Sequence, residues 1–168
     1  LADRYKGHRR LDLKVIYIFG KTGTGKTRYV LDTHGDENVY KISDYKHPFD
    51  LYCYQPVMCF EEYRSQLPIA DMLQYLDIYP IDLPARYSNR FMCAENIYIL
   101  SNEPLEEQYG NVQVERPETW AAFLRRITEV WIFGEDGKIK KYNSVYDYLN
   151  RSEDFHVQTI EESKENPF

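Results

Sequence analysis

Gly20-Lys21-Thr22-Gly23-Thr24-Gly25-Lys26-Thr27 matches the phosphate-binding pattern G-x-x-x-x-G-K-[ST] at every fixed position. It follows Lys14-Val15-Ile16-Tyr17-Ile18-Phe19, an apolar β-branched and aromatic run that reads as a buried strand. It precedes Thr27-Arg28-Tyr29-Val30-Leu31, which can continue as a helix. Strand, loop and helix in that order are the context the pattern needs. The glycines let successive backbone N–H groups turn inward around phosphate oxygens, and the helix N-terminus adds partial positive charge. All eight residues, Gly20 to Thr27, are therefore candidates for holding a nucleoside triphosphate, expected to be ATP. Lys26 would reach its β- and γ-phosphates and the Thr27 hydroxyl would ligate Mg²⁺.

Working outward, apolar strands alternate with helical patterns from Lys14 to Phe133, which predicts an α/β fold. Strands are expected near 14–19, 38–42, 56–61, 96–101 and 128–133, and helices near 26–33, 67–78 and 117–127. Ile69, Met72, Leu73 and Leu76 recur at helical spacing after Pro68, as do Trp120, Phe123, Leu124 and Ile127 after Pro117. Both stripes read as core faces. Arg125 and Arg126 lie away from the second stripe, so both are expected to face solvent or a neighbour. Gly134-Glu135-Asp136-Gly137 reads as a turn before a strand at 138–142, and Ser144 as a helix cap.

These patterns divide the chain into a basic linker or end of a preceding segment over 1–13, a nucleotide-binding core over 14–133, a hairpin and helix over 134–151, and an acidic tail over 152–168. The chain begins at Leu1 rather than Met, which predicts removed sequence upstream. Three cysteines show neither an even framework nor CxxC spacing, and Cys59 and Cys93 sit in or beside apolar strands, as buried thiols would. No run approaches the roughly 18 apolar residues of a membrane span. The net charge of −6 excludes a surface coated in basic residues, so nucleic-acid contact requires a local basic patch.

The run Val57-Met58-Cys59-Phe60-Glu61-Glu62 is a hydrophobic strand ending in two acids, the Walker B form. Glu61 would hold the Mg²⁺ shell beside Thr27, and Glu62 would polarise the attacking water. Adjacent carboxylates on a strand point to opposite sides, but at its C-terminal end the backbone can turn and bring both to the phosphate. A further strand, Asn96 to Ser101, ends at Asn102. Asn102 either reaches the γ-phosphate from the sheet centre or opens a turn before Pro104. Between these strands, Arg86-Tyr87-Ser88-Asn89-Arg90 sets two arginines around an aromatic and small polar residues. Such a group suits single-stranded nucleic acid, charge to phosphate and ring to base; the alternative is a solvated surface loop.

Taken together, Gly20–Thr27, Val57–Glu62, Tyr79–Ala94 and Ile97–Asn102 resemble motifs A, B, B′ and C of superfamily 3 helicases. The likeness is to the C-terminal ATPase domain of replication initiators (Rep) of circular single-stranded DNA viruses and related bacterial rolling-circle plasmids. It implies an AAA+-like P-loop NTPase with a central, mostly parallel sheet flanked by helices. It also implies a Mg²⁺-dependent ATPase and DNA helicase acting as a ring, expected to be a hexamer, on single-stranded DNA. Catalysis would fall to Lys26, Glu61, Glu62 and Asn102 of one protomer, with Asn102 on the γ-phosphate and lytic water. Arg126 of the next would serve as an arginine finger, Arg125 being the alternate. Arg86, Tyr87, Asn89 and Arg90 would form the channel hairpin; Arg86 stands where the viral proteins usually carry Lys, and Tyr87-Ser88 replaces a common Gly-Gly. A nicking domain upstream is implied, and an intracellular setting: cytoplasm for a plasmid or phage protein, host nucleus for a eukaryotic virus. Rival readings are a small-molecule kinase, an RNA-acting superfamily 3 helicase and a nucleotide-gated oligomerisation module.

Overall fold

Burial alternates along the strand that leads into the glycine-rich loop, and this alternation builds two cores. The computed structural model describes residues 7–151. In β1 (Lys14–Gly20), Val15 and Tyr17 enter one cluster, and Ile16 and Ile18 the other. The same division runs through β3 (Val57–Phe60) and β6 (Asn96–Ser101), whose interior residues are buried on both faces. Strands covered on both sides read as continuous apolar runs, which is why these segments were legible from sequence.

The main sheet has the order β2-β3-β6-β1-β7-β8, with β2 spanning Val39–Ile42, β7 Glu129–Phe133 and β8 Ile139–Tyr142. All pairings are parallel except β7–β8. Helix α1 (Lys26–His34) covers one face through Val30, supported by Tyr29 and Leu31. The other face is covered by α2 (Ile69–Tyr75), α4 (Pro117–Arg126) and α5 (Val145–Leu149), through Ile69 and Met72, Phe123, and Tyr148. Helix α3 (Gly110–Glu115) precedes α4, and β4 (Asp82–Leu83) with β5 (Arg90–Phe91) forms a separate antiparallel pair. The fold is thus α/β with a mostly parallel central sheet flanked by helices.

Most expected elements appear within two residues of their expected bounds. Gly134 donates its N–H to the Lys138 carbonyl at 2.9 Å, closing the β7–β8 turn, and the Ser144 hydroxyl accepts from Asp147 N–H at 3.0 Å. Cys59 and Cys93 are buried and, with exposed Cys53, free. The expected acidic tail over 152–168 lies outside the described residues.

Two differences share one cause. Helix α2 spans Ile69–Tyr75 instead of 67–78, and the carbonyls around its end are taken by arginines. Arg10 donates to Ala94 O and Tyr75 O, both at 2.7 Å, and to Asp77 O. Arg126 donates to Leu73 O at 2.8 Å. A helix leaves its last carbonyls without intrahelical partners, and a guanidinium satisfies several at once. Arg10 is buried, and desolvation lowers its pKa to about 10. Within the stretch 1–13, expected to be a linker or the end of a preceding segment, Arg10 is thus packed into the folded unit. Arg10→Ala should cost about 1–3 kcal/mol, because buried carbonyls lose their donor. Arg9→Ala, which removes only a contact with the exposed Tyr79 ring, should cost about 1 kcal/mol or less. Urea unfolding of both variants compares them.

Candidate functional site

The parallel strands β1, β3 and β6 end at one edge of the sheet, where the 20–27 loop closes over them. Gly20 is the last residue of β1 and has no room for a side chain. A Cβ there would lie 2.7 Å from Thr24 Oγ1 and 2.9 Å from the Phe133 carbonyl oxygen. Gly23 and Gly25 have φ of 86° and 85°, the left-handed region that favours glycine. Gly25 also caps α1 without a side-chain bond, and no acid occupies the helix's first turn. The first N–H groups of α1 therefore face the loop with no acid of the helix itself beside them, which suits an anion.

A cleft of about 390 Å³ opens here, lined by Thr22, Lys26, Thr27, Glu61, Glu62 and Asn102 among others. The Lys26 ammonium donates to Gly20 O at 2.5 Å, Lys21 O at 3.1 Å and Asn102 Oδ1 at 3.2 Å. Asn102 in turn donates to Thr22 Oγ1 at 3.1 Å. The ammonium's pKa is lowered by burial, an effect opposed by the Glu62 carboxylate. The Thr27 hydroxyl donates to Glu61 Oε1 at 3.0 Å. That pairing of one hydroxyl with one carboxylate is a hard-oxygen donor set and fits Mg²⁺, which keeps waters and substrate phosphates as its other ligands.

Glu62 shows how adjacent acids share a site. Its φ of 48° is left-handed, so the backbone turns as β3 ends and both carboxylates line the same cleft. Such a conformation in a non-glycine residue costs about 1–3 kcal/mol and persists only where surrounding contacts enforce it. Here Tyr45 OH donates to Glu61 O at 2.6 Å, and Gln66 Nε2 donates to Glu62 O at 2.9 Å. Tyr63 N–H donates to Leu100 O at 2.8 Å.

Behind the cleft lies a buried polar network that the sequence did not announce. The Gln108 amide lies 2.9 Å from both Tyr17 OH and Tyr63 O, and 3.1 Å from Ser101 Oγ. Gln108 sits in an irregular stretch with no periodic pattern, so nothing in the sequence distinguished it from a surface glutamine. It ties the middle of β1, the end of β6 and the turn after β3 to one another.

The second group of expected residues lies on β4–β5 and its connection. Tyr87 is 82% exposed, and Asn89 is exposed. Arg86 is not free: its Nε lies 2.6 Å from Asp50 Oδ2, and its N–H donates to Asp50 Oδ1 at 3.1 Å. The Arg86 bonds hold the Asp50 carboxyl below its ordinary pKa. Half-buried Arg90 donates to Ser88 Oγ and to Asp50 O. One aspartate thus ties down both arginines of the loop.

The structure also corrects the expectation that Arg125 and Arg126 both face solvent or a neighbour. Arg125 is exposed. Arg126 folds back, bonding Leu73 O, Ala122 O at 2.9 Å and Asp77 Oδ2 at 3.2 Å. Spacing within α4 predicted the face correctly but could not register the neighbouring end of α2.

No protein-family model matches the chain. Curated proteins do. The chain is 30% identical over 125 residues to the replication-associated protein of Goose circovirus, a match covering 74% of this chain and 40% of that protein. It is 27% identical over 128 residues to the replication-associated protein of Beak and feather disease virus, covering 76% and 42%. That of Porcine circovirus 2 is 27% identical over 113 residues, covering 67% and 35%. This chain is similar to circovirus replication-associated proteins. It spans about two fifths of the length of those it matches first. Among the described residues, no helix is long and apolar enough to cross a membrane.

The two arginines make different predictions. Arg126→Ala should lower stability by about 1–3 kcal/mol, since it strips partners from the end of α2. Arg125→Ala should stay within about 0.5 kcal/mol of the parent. Thermal unfolding in the absence of nucleotide reads both.

Proposed function

We propose that the chain is the ATP-dependent DNA helicase domain of a rolling-circle replication initiator, hydrolysing ATP between the subunits of a ring. The observation that carries this reading is the meeting of Lys26, Thr27, Glu61, Glu62 and Asn102 in one cleft, although they come from three separate sequence segments. Similarity to circovirus replication-associated proteins supports the replication role.

In this mechanism the N–H groups of the 20–27 loop cradle the phosphates, and Lys26 exchanges its carbonyl contacts for β- and γ-phosphate oxygens. Thr27 and Glu61 would hold Mg²⁺, which when bound would offset the negative charge of the phosphates. Glu62 accepts a hydrogen bond from the attacking water and polarises it. Asn102 moves from Thr22 and Lys26 to the γ-phosphate and that water. An arginine from the adjacent protomer stabilises charge on the transferred group. Arg125 is the better candidate for this task, because Arg126 already has three acceptors within its own chain.

Single-stranded DNA would be gripped by the β4–β5 loop, with Arg86 and Arg90 on phosphates and Tyr87 and Asn89 on bases. Asp50 competes with the phosphates for Arg86, so releasing the arginines is part of binding. Hydrolysis would then shift these loops and draw the strand along.

Glu62→Gln should lower ATP turnover by about 10²-fold or more while leaving ATP binding intact. Single-turnover phosphate release beside equilibrium ATP binding checks this, and unchanged turnover would sink the assignment. Asp50→Asn should raise affinity for single-stranded DNA at low salt, and Arg86→Ala should lower it, as read by fluorescence anisotropy on a labelled oligonucleotide.

A further inference from the structure

A second cleft, of about 200 Å³, lies across the glycine-rich loop from the catalytic cluster. Tyr29 lines it from α1, and Phe133 and Ile139 line it from the β7–β8 hairpin. Gly25 and Arg28 line both this cleft and the catalytic one. The two are therefore consecutive stations along one loop.

The walls of this second cleft are held in place before any ligand arrives. The Tyr29 ring packs edge-on to Trp131 and Phe133, with ring centroids 5.5 Å apart in both pairs. Its hydroxyl accepts from the Lys141 ammonium at 3.0 Å. On the hairpin side, Gly20 is packed against Phe133, and Lys21 pairs with Glu135 at 3.0 Å, so the turn is tied to the loop. A Cβ at Gly137 would meet nothing within 4 Å, which leaves the rim of the cleft open.

A nucleoside triphosphate is extended, with its base at the end opposite the γ-phosphate. The γ end is assigned to Lys26, Glu61, Glu62 and Asn102, so the remainder must run along the loop and leave past Gly25 and Arg28. The first apolar and aromatic surface in that direction is the Tyr29–Phe133–Ile139 cleft. Flat, weakly hydrated rings gain most from such surfaces. We propose that this cleft receives the nucleobase and that Tyr29 and Ile139 flank it. The assignment rests on the nucleotide reading above and adds to it the residues that distinguish a nucleotide from bare polyphosphate. The β7–β8 hairpin, otherwise an edge of the sheet, thereby becomes part of the substrate site.

The test compares a non-hydrolysable ATP analogue with inorganic tripolyphosphate, each with Mg²⁺, by titration calorimetry on the 168-residue chain. Ile139 is 38% exposed on an edge strand, so replacing it does not open the core. Ile139→Asp should weaken the analogue at least tenfold and leave tripolyphosphate unchanged, while Ile139→Val should preserve both. If Ile139→Asp leaves the analogue's affinity unaltered, or weakens both ligands in parallel, the base does not lie in this cleft. Parent protein that binds neither ligand would overturn the nucleotide reading itself, and this assignment with it.

Discussion

β1 is hydrogen-bonded along both edges to parallel strands, to β6 from Lys14↔Asn96 to Phe19↔Ser101 and to β7 from Ile16↔Glu129 to Gly20↔Phe133. Because both faces are also buried, the strand cannot shift in register without exposing one core or the other. Its last residue, Gly20, is therefore delivered to a fixed point, where it fits against Phe133 only because it lacks a Cβ. Everything that converges on the loop does so relative to that point. β6 lies between β1 and β3, so Asn102 at its end stands between Lys26 and the two glutamates. The order of strands makes the cleft before any side chain is considered.

Sequence periodicity gave the framework to the extent that each element's neighbours were generic. Central strands buried on both faces are long apolar runs, and the helices on one side carry clear core stripes, so both were legible. The loop pattern was legible for a different reason: the backbone conformation it needs restricts Gly23 and Gly25 to glycine. Asn102 was ambiguous between a turn and a site residue on its own sequence. The placement of β6 beside β1 brings the Asn102 side chain within 3.2 Å of the Lys26 ammonium, and that is a non-local fact.

The arginines were misread where a local pattern was asked to report a tertiary contact. A helical wheel correctly puts Arg126 off the apolar face of α4, yet off that face is not the same as free. The end of α2 lies there with unsatisfied carbonyls, and a long side chain buries its stem while its head finds them. Arg10 serves the same helix end from the far side of the sequence. A basic residue in an apparent linker thus became an interior hydrogen-bond donor. Gln108 was missed for a related reason, since a buried polar side chain is recognised by its partners and not by its spacing.

The position of Arg125 follows from the same sheet. α4 runs directly into β7, and the joint between them is clamped to β1. Thr128 N–H donates to Val15 O at 2.7 Å, and Val15 N–H donates to Thr128 Oγ1 at 3.0 Å. Arg126, bonded to α2, holds the last turn of α4 from the other side. The backbone of Arg125, at the end of a helix fixed at two points, has a defined position relative to the glycine-rich loop. An arginine meant to act on a neighbouring protomer needs that rigidity, because a flexible carrier would lose in ordering entropy much of what the charge contributes. In the ring mechanism proposed above, Arg126 would anchor the end of α4 through its bonds to Leu73, Ala122 and Asp77, and Arg125 would supply the reach.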